Sequence, residues 1–151
     1  MKVRISIISI LIVALFAMLS FTTPVKGDLV INLENIKKPK GMIWLALYDS
    51  QETLFVKDKS ILKGVDVNEK GEMTVTMDQV QFGTYALAIF HDENSNGKLD
   101  KNFFGIPTEP YAFARPPKSK WRAPYFEELT FSFDKTNQVI DTKLGTWWDQ
   151  P

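Results

Sequence analysis

The strongest constraint on the fold is residues 83–92, a run with apolar side chains at both odd and even positions. Successive side chains of an extended chain point to opposite faces, so alternate residues share a face. The two sets of alternate residues are Tyr85, Leu87 and Ile89, and Ala86, Ala88 and Phe90. A strand that is apolar on both faces is typical of the middle of a sheet that is covered on both sides. The run therefore predicts a central strand.

Directly after this run, oxygen-bearing side chains stand at every second position and are followed by Gly97. This spacing suits a hard cation such as calcium, which takes oxygen ligands from one loop. The predicted ligands are the side chains of Asp92, Asn94, Asn96 and Asp100 and the backbone carbonyl of Lys98. A bidentate glutamate usually closes such a loop, but this chain has Phe103 at that position. We expect Glu109, Glu127 or a carboxylate from a neighbouring loop to complete the coordination sphere.

The same loop also has a simpler interpretation as a polar turn, because Asn, Asp and Gly favour tight turns without a metal. His91, the single histidine, precedes the loop. With the loop carboxylates it is the basis of an alternative function as a hydrolase. A lone histidine at a strand end more often serves only a structural hydrogen bond. We therefore predict a non-enzymatic protein and keep the hydrolase as the alternative.

Other parts of the chain show the strict alternation of half-buried strands. The alternating apolar sets are Leu29, Ile31 and Leu33; Met73, Val75 and Met77; and Leu129, Phe131 and Phe133. Gly83 and Tyr85 are typical of a tyrosine corner, in which the hydroxyl bonds to the preceding loop. Residues 138–144 are expected to pair back on the strand before them. About seven short strands and no periodic helix predict an all-β fold, an antiparallel β-sandwich.

Residues 101–125 form a long irregular segment with five prolines and six aromatic residues. The aromatic content argues against disorder. These rings are expected either to cover one open end of the sandwich or to bind a peptide or a carbohydrate, with burial the more common fate of aromatic side chains.

Composition excludes several functions. The chain has no cysteine, which excludes disulfides, thiol nucleophiles and thiolate metal sites. One histidine cannot form a multi-histidine zinc or iron site. Lys and Arg together number 18, as do Asp and Glu, so there is no basic excess to hold a phosphate backbone. Nucleic acid is therefore not an expected partner.

The N-terminus has Lys2 and Arg4, then an apolar run over residues 5–21. This pattern is typical of a signal peptide, with cleavage expected between residues 20 and 27 and a single domain over residues 28–151. We expect the protein to be exported, to the periplasm or the extracellular space. Membrane attachment is expected only if the segment is not cleaved, because its length nearly reaches that of a spanning helix.

The run from Tyr85 to Asp100 resembles a family of small exported bacterial proteins, domain of unknown function 2141. The resemblance continues through Gly105, Pro107 and Tyr111. It implies a transthyretin-like, or prealbumin-like, sandwich and an exported location, and it implies no activity. Together with the loop, it leads us to expect a binding or envelope-associated module that binds calcium weakly and has an envelope protein, a peptide or a carbohydrate as its partner.

Overall fold

The computed structural model of the protein describes residues 25–149, which form two packed β-sheets. The strands are β1 (Lys26–Ile36), β2 (Met42–Tyr48), β3 (Ile61–Asp66), β4 (Gly71–Gln81), β5 (Gly83–Asp92), β6 (Tyr111–Phe113), β7 (Thr130–Phe133) and β8 (Gln138–Lys143). The helical elements in this part of the chain are α1 (Phe126–Leu129) and the 3-10 turns Lys57–Lys59 and Trp147–Asp149. The predicted all-β sandwich is confirmed.

One sheet has three strands in the order β4-β1-β8, and the other has the order β3-β2-β5-β6 with β7 also paired to β5. The strand pairs are antiparallel except β1 and β8, which run parallel with Leu29 opposite Gln138. The expectation that residues 138–144 pair back on the preceding strand is wrong, because β7 and β8 belong to different sheets. At the crossover, Asn137 has a φ of 57° and donates its N–H to the Asp28 carbonyl at 2.7 Å.

β5 is buried on both faces, as its sequence predicts. Its odd-numbered side chains from Tyr85 to Ile89 belong to the core between the two sheets. Its Ala86 packs in a second apolar cluster on the outer face, together with Leu54 and Leu129. β5 lies between β2 on one side and β6 and β7 on the other. The strand is therefore held firmly, and its end at Asp92 is a fixed point for the loop that follows.

Tyr85 forms the predicted corner at the start of β5. Its hydroxyl donates a hydrogen bond to the Gln81 carbonyl at 2.9 Å. Burial raises the pKa of the Tyr85 phenol, and the nearby carboxylate of Asp49 raises it further. The phenol therefore keeps its proton, and with it the bond that fixes the turn between β4 and β5.

Most of the predicted signal segment, residues 1–24, lies outside the described residues. Its last residues are described and belong to the sandwich. Lys26 pairs with Gln81, and the Val25 carbonyl accepts the Phe82 N–H at 2.9 Å. Strand β1 thus includes two residues that precede the expected boundary at residue 28. None of the helices within residues 25–149 has the length and apolarity that crossing a bilayer requires.

Candidate functional site

Asp92 is the anchor of the loop that follows β5, and its side chain is fully buried. One carboxylate oxygen accepts the Asn96 N–H at 3.0 Å. The other accepts the Gly97 N–H at 2.7 Å and the Trp44 indole N–H at 3.2 Å. The buried carboxyl group therefore has three hydrogen-bond donors, as a buried polar group requires. These bonds fold the loop back over the end of its own strand.

Two glycines permit this close folding. Gly97 has a φ of +77°, a backbone conformation that residues other than glycine rarely adopt. Gly41, in the turn after β1, also has a positive φ of +78°. A Cβ atom on Gly41 would lie 2.1 Å from the Asp92 carbonyl oxygen. The turn between β1 and β2 therefore presses on the start of the loop, and only glycine fits there.

The four predicted side-chain ligands are brought together. Asp100 accepts an amide N–H from Asn94 at 2.6 Å on one carboxylate oxygen and one from Asn96 at 2.9 Å on the other. The side-chain oxygen of Asn94 accepts the Asn96 N–H at 3.0 Å, and that of Asn96 accepts the Lys98 N–H at 2.9 Å. The loop thus satisfies its own polar groups, mostly with bonds between near neighbours.

Of the two glutamates expected to complete the site, the structure brings Glu109 to the loop. Glu109 is buried, and its two carboxylate oxygens accept the N–H groups of Glu93 at 2.9 Å and Asp100 at 3.0 Å. It therefore ties the two ends of the loop together. It directs its oxygens at backbone N–H groups, which is a structural use of the carboxylate.

Glu127 is not brought to the loop. It lies in α1, three residues before Thr130, which pairs with Ala86 in the first half of β5. Asp92 lies six residues farther along that strand, and strands rise about 3.3 Å per residue. Thr130 therefore pairs with β5 on the order of 20 Å before Asp92, and no hydrogen bond or ion pair within residues 25–149 joins the Glu127 carboxylate to the loop.

Trp44 and Lys57 contribute to the loop in a way that the sequence did not reveal. The ammonium group of Lys57 lies 4.6 Å from the centroid of the Trp44 ring and donates to the Gly97 carbonyl at 3.1 Å. The Trp44 ring itself rests on Gly64 of β3, where an added Cβ would approach a ring atom to 2.8 Å. A shelf made by Gly64, Trp44 and Lys57 thus supports one side of the loop.

The loop has few carboxylates for a cation. Within residues 25–149 no three His, Cys, Asp or Glu side chains lie close enough together to hold a metal ion. A carboxylate offers about four lone pairs. Asp92 uses three of them on N–H donors, whereas Asp100 uses two, both on neighbouring side-chain amides. Asp100 is therefore the carboxylate that a cation would reach most easily.

His91 lies on the core face of β5, in line with the buried residues that precede it. It is fully buried. Its Nε2 donates to the Lys40 carbonyl at 2.7 Å, since a carbonyl can only accept. Its Nδ1 is buried without a hydrogen-bond partner. The ring therefore fixes the β1–β2 turn and does not face solvent, where a general base would need to meet a substrate.

The aromatic residues of the irregular segment have two different fates. Tyr111 and Ala112 are buried in or beside the core. In contrast, Phe103 is 97% exposed and Phe104 is 82% exposed, and their rings are in edge contact at 5.6 Å. The expectation that the aromatic rings cover an end of the sandwich is therefore wrong for these two residues.

A second exposed aromatic group lies later in the segment. The Trp121 ring is in edge contact with Trp147 at 5.8 Å, and Arg122 stacks over the Tyr125 ring at 4.5 Å. Arg122 also hydrogen bonds Glu128, which holds the pKa of the Glu128 carboxyl below its usual value. Partners in α1 and near the C-terminus, Glu128 and Trp147, thus hold this group in place.

Comparison with known proteins identifies the family. A family model described as uncharacterized protein conserved in bacteria (DUF2141) matches residues 31–141, which is most of the chain. No curated protein and no solved structure matches. The chain belongs to the DUF2141 family, as its central motif predicts.

Proposed function

For this member of an uncharacterized bacterial family, we propose an exported, non-enzymatic sandwich module that binds a partner in the cell envelope and whose loop over residues 92–100 takes calcium weakly. The observation that carries the proposal is the convergence of four oxygen-bearing side chains at the end of a rigid strand. Asp92, Asn94, Asn96 and Asp100 share one network of hydrogen bonds. Export is supported by the N-terminal sequence pattern.

The weakness of the site follows from this network. Asn94 and Asn96 now point amide N–H groups at Asp100, so a cation must turn these amides to meet their oxygens. That rotation would break the bonds from their oxygens to the N–H groups of Asn96 and Lys98. Binding therefore exchanges internal hydrogen bonds for metal contacts. We expect a dissociation constant on the order of 0.1–1 mM, as in extracellular calcium modules.

Thermal melts test the calcium site. At free calcium of about ten times its dissociation constant, binding stabilises the fold by about 1.4 kcal/mol. For a domain of this size the melting temperature should rise by about 3–6 °C relative to chelator. Magnesium should raise it less, because it demands a tighter octahedron and releases water reluctantly. An unchanged melting temperature in about 10 mM calcium, a tenfold excess over the weakest dissociation constant expected, would mean that the loop is only a polar turn and binds no calcium.

Asp100→Ala is the variant that separates the loss of metal binding from a loss of stability. Its carboxylate holds only two side-chain amides, so its loss should leave the fold near its original stability while it removes the calcium-dependent rise. Asp141→Ala is a matched control, because Asp141 is an exposed carboxylate that also accepts one asparagine amide, from Asn32. That control should keep the full calcium response. Asp92→Ala is less informative about metal, since it also removes the anchor of the loop.

The hydrolase alternative gains no support from the site. It requires His91 to exchange protons with a substrate, but the ring is buried and bonded to Lys40. The proposal of a non-enzymatic module rests on this position of His91.

Export is tested by the intact mass of the protein from its native host. The strand pairing of Lys26 favours a cut before residue 25, and a full-length cytoplasmic species would contradict export.

A further inference from the structure

We propose that the hairpin over residues 101–107 inserts the rings of Phe103 and Phe104 into the surface of an anionic phospholipid bilayer. This inference goes beyond the calcium loop; it rests on the proposed envelope role and names the envelope component that the module meets. It starts from the exposure of the two rings, which are the most exposed large apolar side chains among residues 25–149. Exposed apolar side chains that lie together in a small patch often mark a surface for interaction.

The hairpin presents these rings rigidly. Asn102 and Gly105 close a tight turn, in which the Gly105 N–H donates to the Asn102 carbonyl at 2.9 Å and Gly105 has a φ of +77°. The side-chain oxygen of Asn102 accepts the N–H groups of Phe104 at 2.9 Å and Ile106 at 3.1 Å. Lys101 and Pro107 form a β-bridge at the base. The two rings therefore stand at the tip of an ordered turn.

The same bonds suit the tip to an apolar surrounding. A backbone N–H that enters a bilayer without a partner is strongly unfavourable. In this turn the N–H groups of Phe104, Gly105 and Ile106 are all bonded to Asn102, and the Asn102 N–H donates to the Ile106 carbonyl at 2.9 Å. Three of the four N–H groups of residues 103–106 are thus already bonded before the tip leaves water.

The charge beside the tip favours an anionic surface. Lys98 and Lys101 precede the rings, and both are exposed. Neither has an ion pair within residues 25–149. The intervening carboxylate, Asp100, is turned toward the amides of Asn94 and Asn96. Unpaired lysines two and five residues before exposed apolar rings are a combination that favours the interface of anionic bilayers.

The size of the patch argues for lipid over a protein groove. A stable protein complex buries about 800 Å² on each partner, whereas two aromatic side chains supply roughly 300–500 Å². A bilayer has no such minimum, because each ring partitions by its own apolar area and the lipid adapts to its shape.

The absence of cysteine makes the test direct, since Phe103→Cys creates a single site for an environment-sensitive fluorophore. The labelled full chain is mixed with vesicles of phosphatidylcholine alone or with about one third phosphatidylglycerol. We expect a blue shift and quenching by nitroxide lipids on the anionic vesicles. A label at Trp148→Cys, which replaces another exposed aromatic residue, is the matched control and should stay in water. This design reports the tip itself, even where the N-terminal segment also binds lipid.

Variants then separate the two contributions. With the label at residue 103, Phe104→Ser should lower partitioning about tenfold through lost apolar area. Lys98→Ala and Lys101→Ala should each lower it about fivefold on anionic vesicles and leave it unchanged on neutral ones. The inference is overturned if the label at residue 103 stays in water on both compositions, or if it shifts no more than the label at residue 148. A groove on a partner protein would then be the alternative binding site for the rings.

The measurement is run in chelator and in calcium so that the two proposals fail separately. Insertion in both solutions with unchanged thermal melts overturns the calcium site and supports the lipid-inserting hairpin. A calcium-dependent melting temperature without a shift at residue 103 overturns the hairpin and supports the calcium site.

Discussion

The loop over residues 92–100 and the hairpin over residues 101–107 are neighbours in sequence but use their side chains in opposite ways. In the loop, the polar side chains bond to the backbone and to one another, with buried Asp92 and Glu109 as anchors. In the hairpin, Asn102 alone bonds the turn, and the Phe103 and Phe104 rings lie in solvent. The polar pattern is thus explained largely by the fold itself. The exposed rings have no such structural use, and they therefore point more directly to function.

The largest effect that would sharpen this comparison is expected from Asp92→Ala. The change leaves the N–H groups of Gly97 and Trp44 without their acceptor in a partly buried place, and it leaves the Asn96 N–H with the Asn94 oxygen alone. We expect a loss of about 3 kcal/mol in the free energy of unfolding, measured by urea denaturation in chelator. Asp141→Ala should change it by less than about 0.5 kcal/mol, as is usual at exposed sites. A loss for Asp92→Ala no larger than for this control would contradict the role of Asp92 as the anchor.

Gly64→Ala tests the shelf beneath the loop. The new Cβ would lie 2.8 Å from the Trp44 ring and 3.0 Å from Met42, so the ring must shift, which disturbs its hydrogen bond to Asp92. We expect destabilisation by about 2 kcal/mol, within the range of overpacked sites. Gly83→Ala is the control, because its nearest neighbour would be at 3.4 Å, an ordinary contact. Equal effects of the two changes in urea denaturation would show that the shelf does not support the loop.

Asn102→Ala tests whether one side chain holds the hairpin. It removes the acceptor for the Phe104 and Ile106 N–H groups at an exposed position, and a loss of about 1 kcal/mol in local stability is expected. Hydrogen exchange of these two amides should accelerate, while the Asn96 amide in the loop should not change. Asn102→Asp keeps an acceptor oxygen and should retain most of the protection. Equal acceleration of exchange in both variants would mean that interactions other than the Asn102 side-chain bonds hold the hairpin in place.

The smallest effect is expected from Phe104→Ala. An exposed ring contributes little to folding, so the free energy of unfolding should change by less than about 0.5 kcal/mol. Phe133→Ala, at a buried position of β7, should reduce it by about 3–5 kcal/mol. Both free energies of unfolding are measured by urea denaturation of the separate variants. A large loss for Phe104→Ala would mean that the ring packs in the fold, which would remove the basis of the proposed bilayer contact.

The parts of the fold that could be predicted from sequence are those with local causes. The two apolar faces of β5 and the turn after it are encoded by neighbouring residues, as is the Tyr85 hydroxyl bond to Gln81. Strand pairing between distant segments is harder to predict from the sequence. The alternation in residues 138–143 identifies a strand, but the same alternation fits a hairpin with β7 or a parallel pairing with β1. Only the packed sheets select β1.

The candidate site shows the same division. The spacing of oxygen side chains identified Asp92, Asn94, Asn96 and Asp100, because a loop gathers residues that are close in sequence. It could not choose between Glu109 and Glu127, since this choice depends on which part of β5 each segment packs against. It also could not reveal Trp44, whose indole reaches Asp92 across the β2–β5 pair. Nothing near Trp44 in the sequence signals that contact.

The sequence by itself determined the all-β class, the central strand and the family, because these depend on local alternation and on a contiguous motif. The tertiary structure decided which polar groups are buried and which apolar groups are not. His91 and Glu109 lie inside, although glutamate is rarely buried, whereas Phe103 and Phe104 lie outside, although phenylalanine is usually buried. Burial is a property of the assembled sheets and of the bonds that they provide. A polar side chain is buried where backbone groups can pair with it, and an aromatic ring stays exposed where a turn closed by its own hydrogen bonds holds it away from the core.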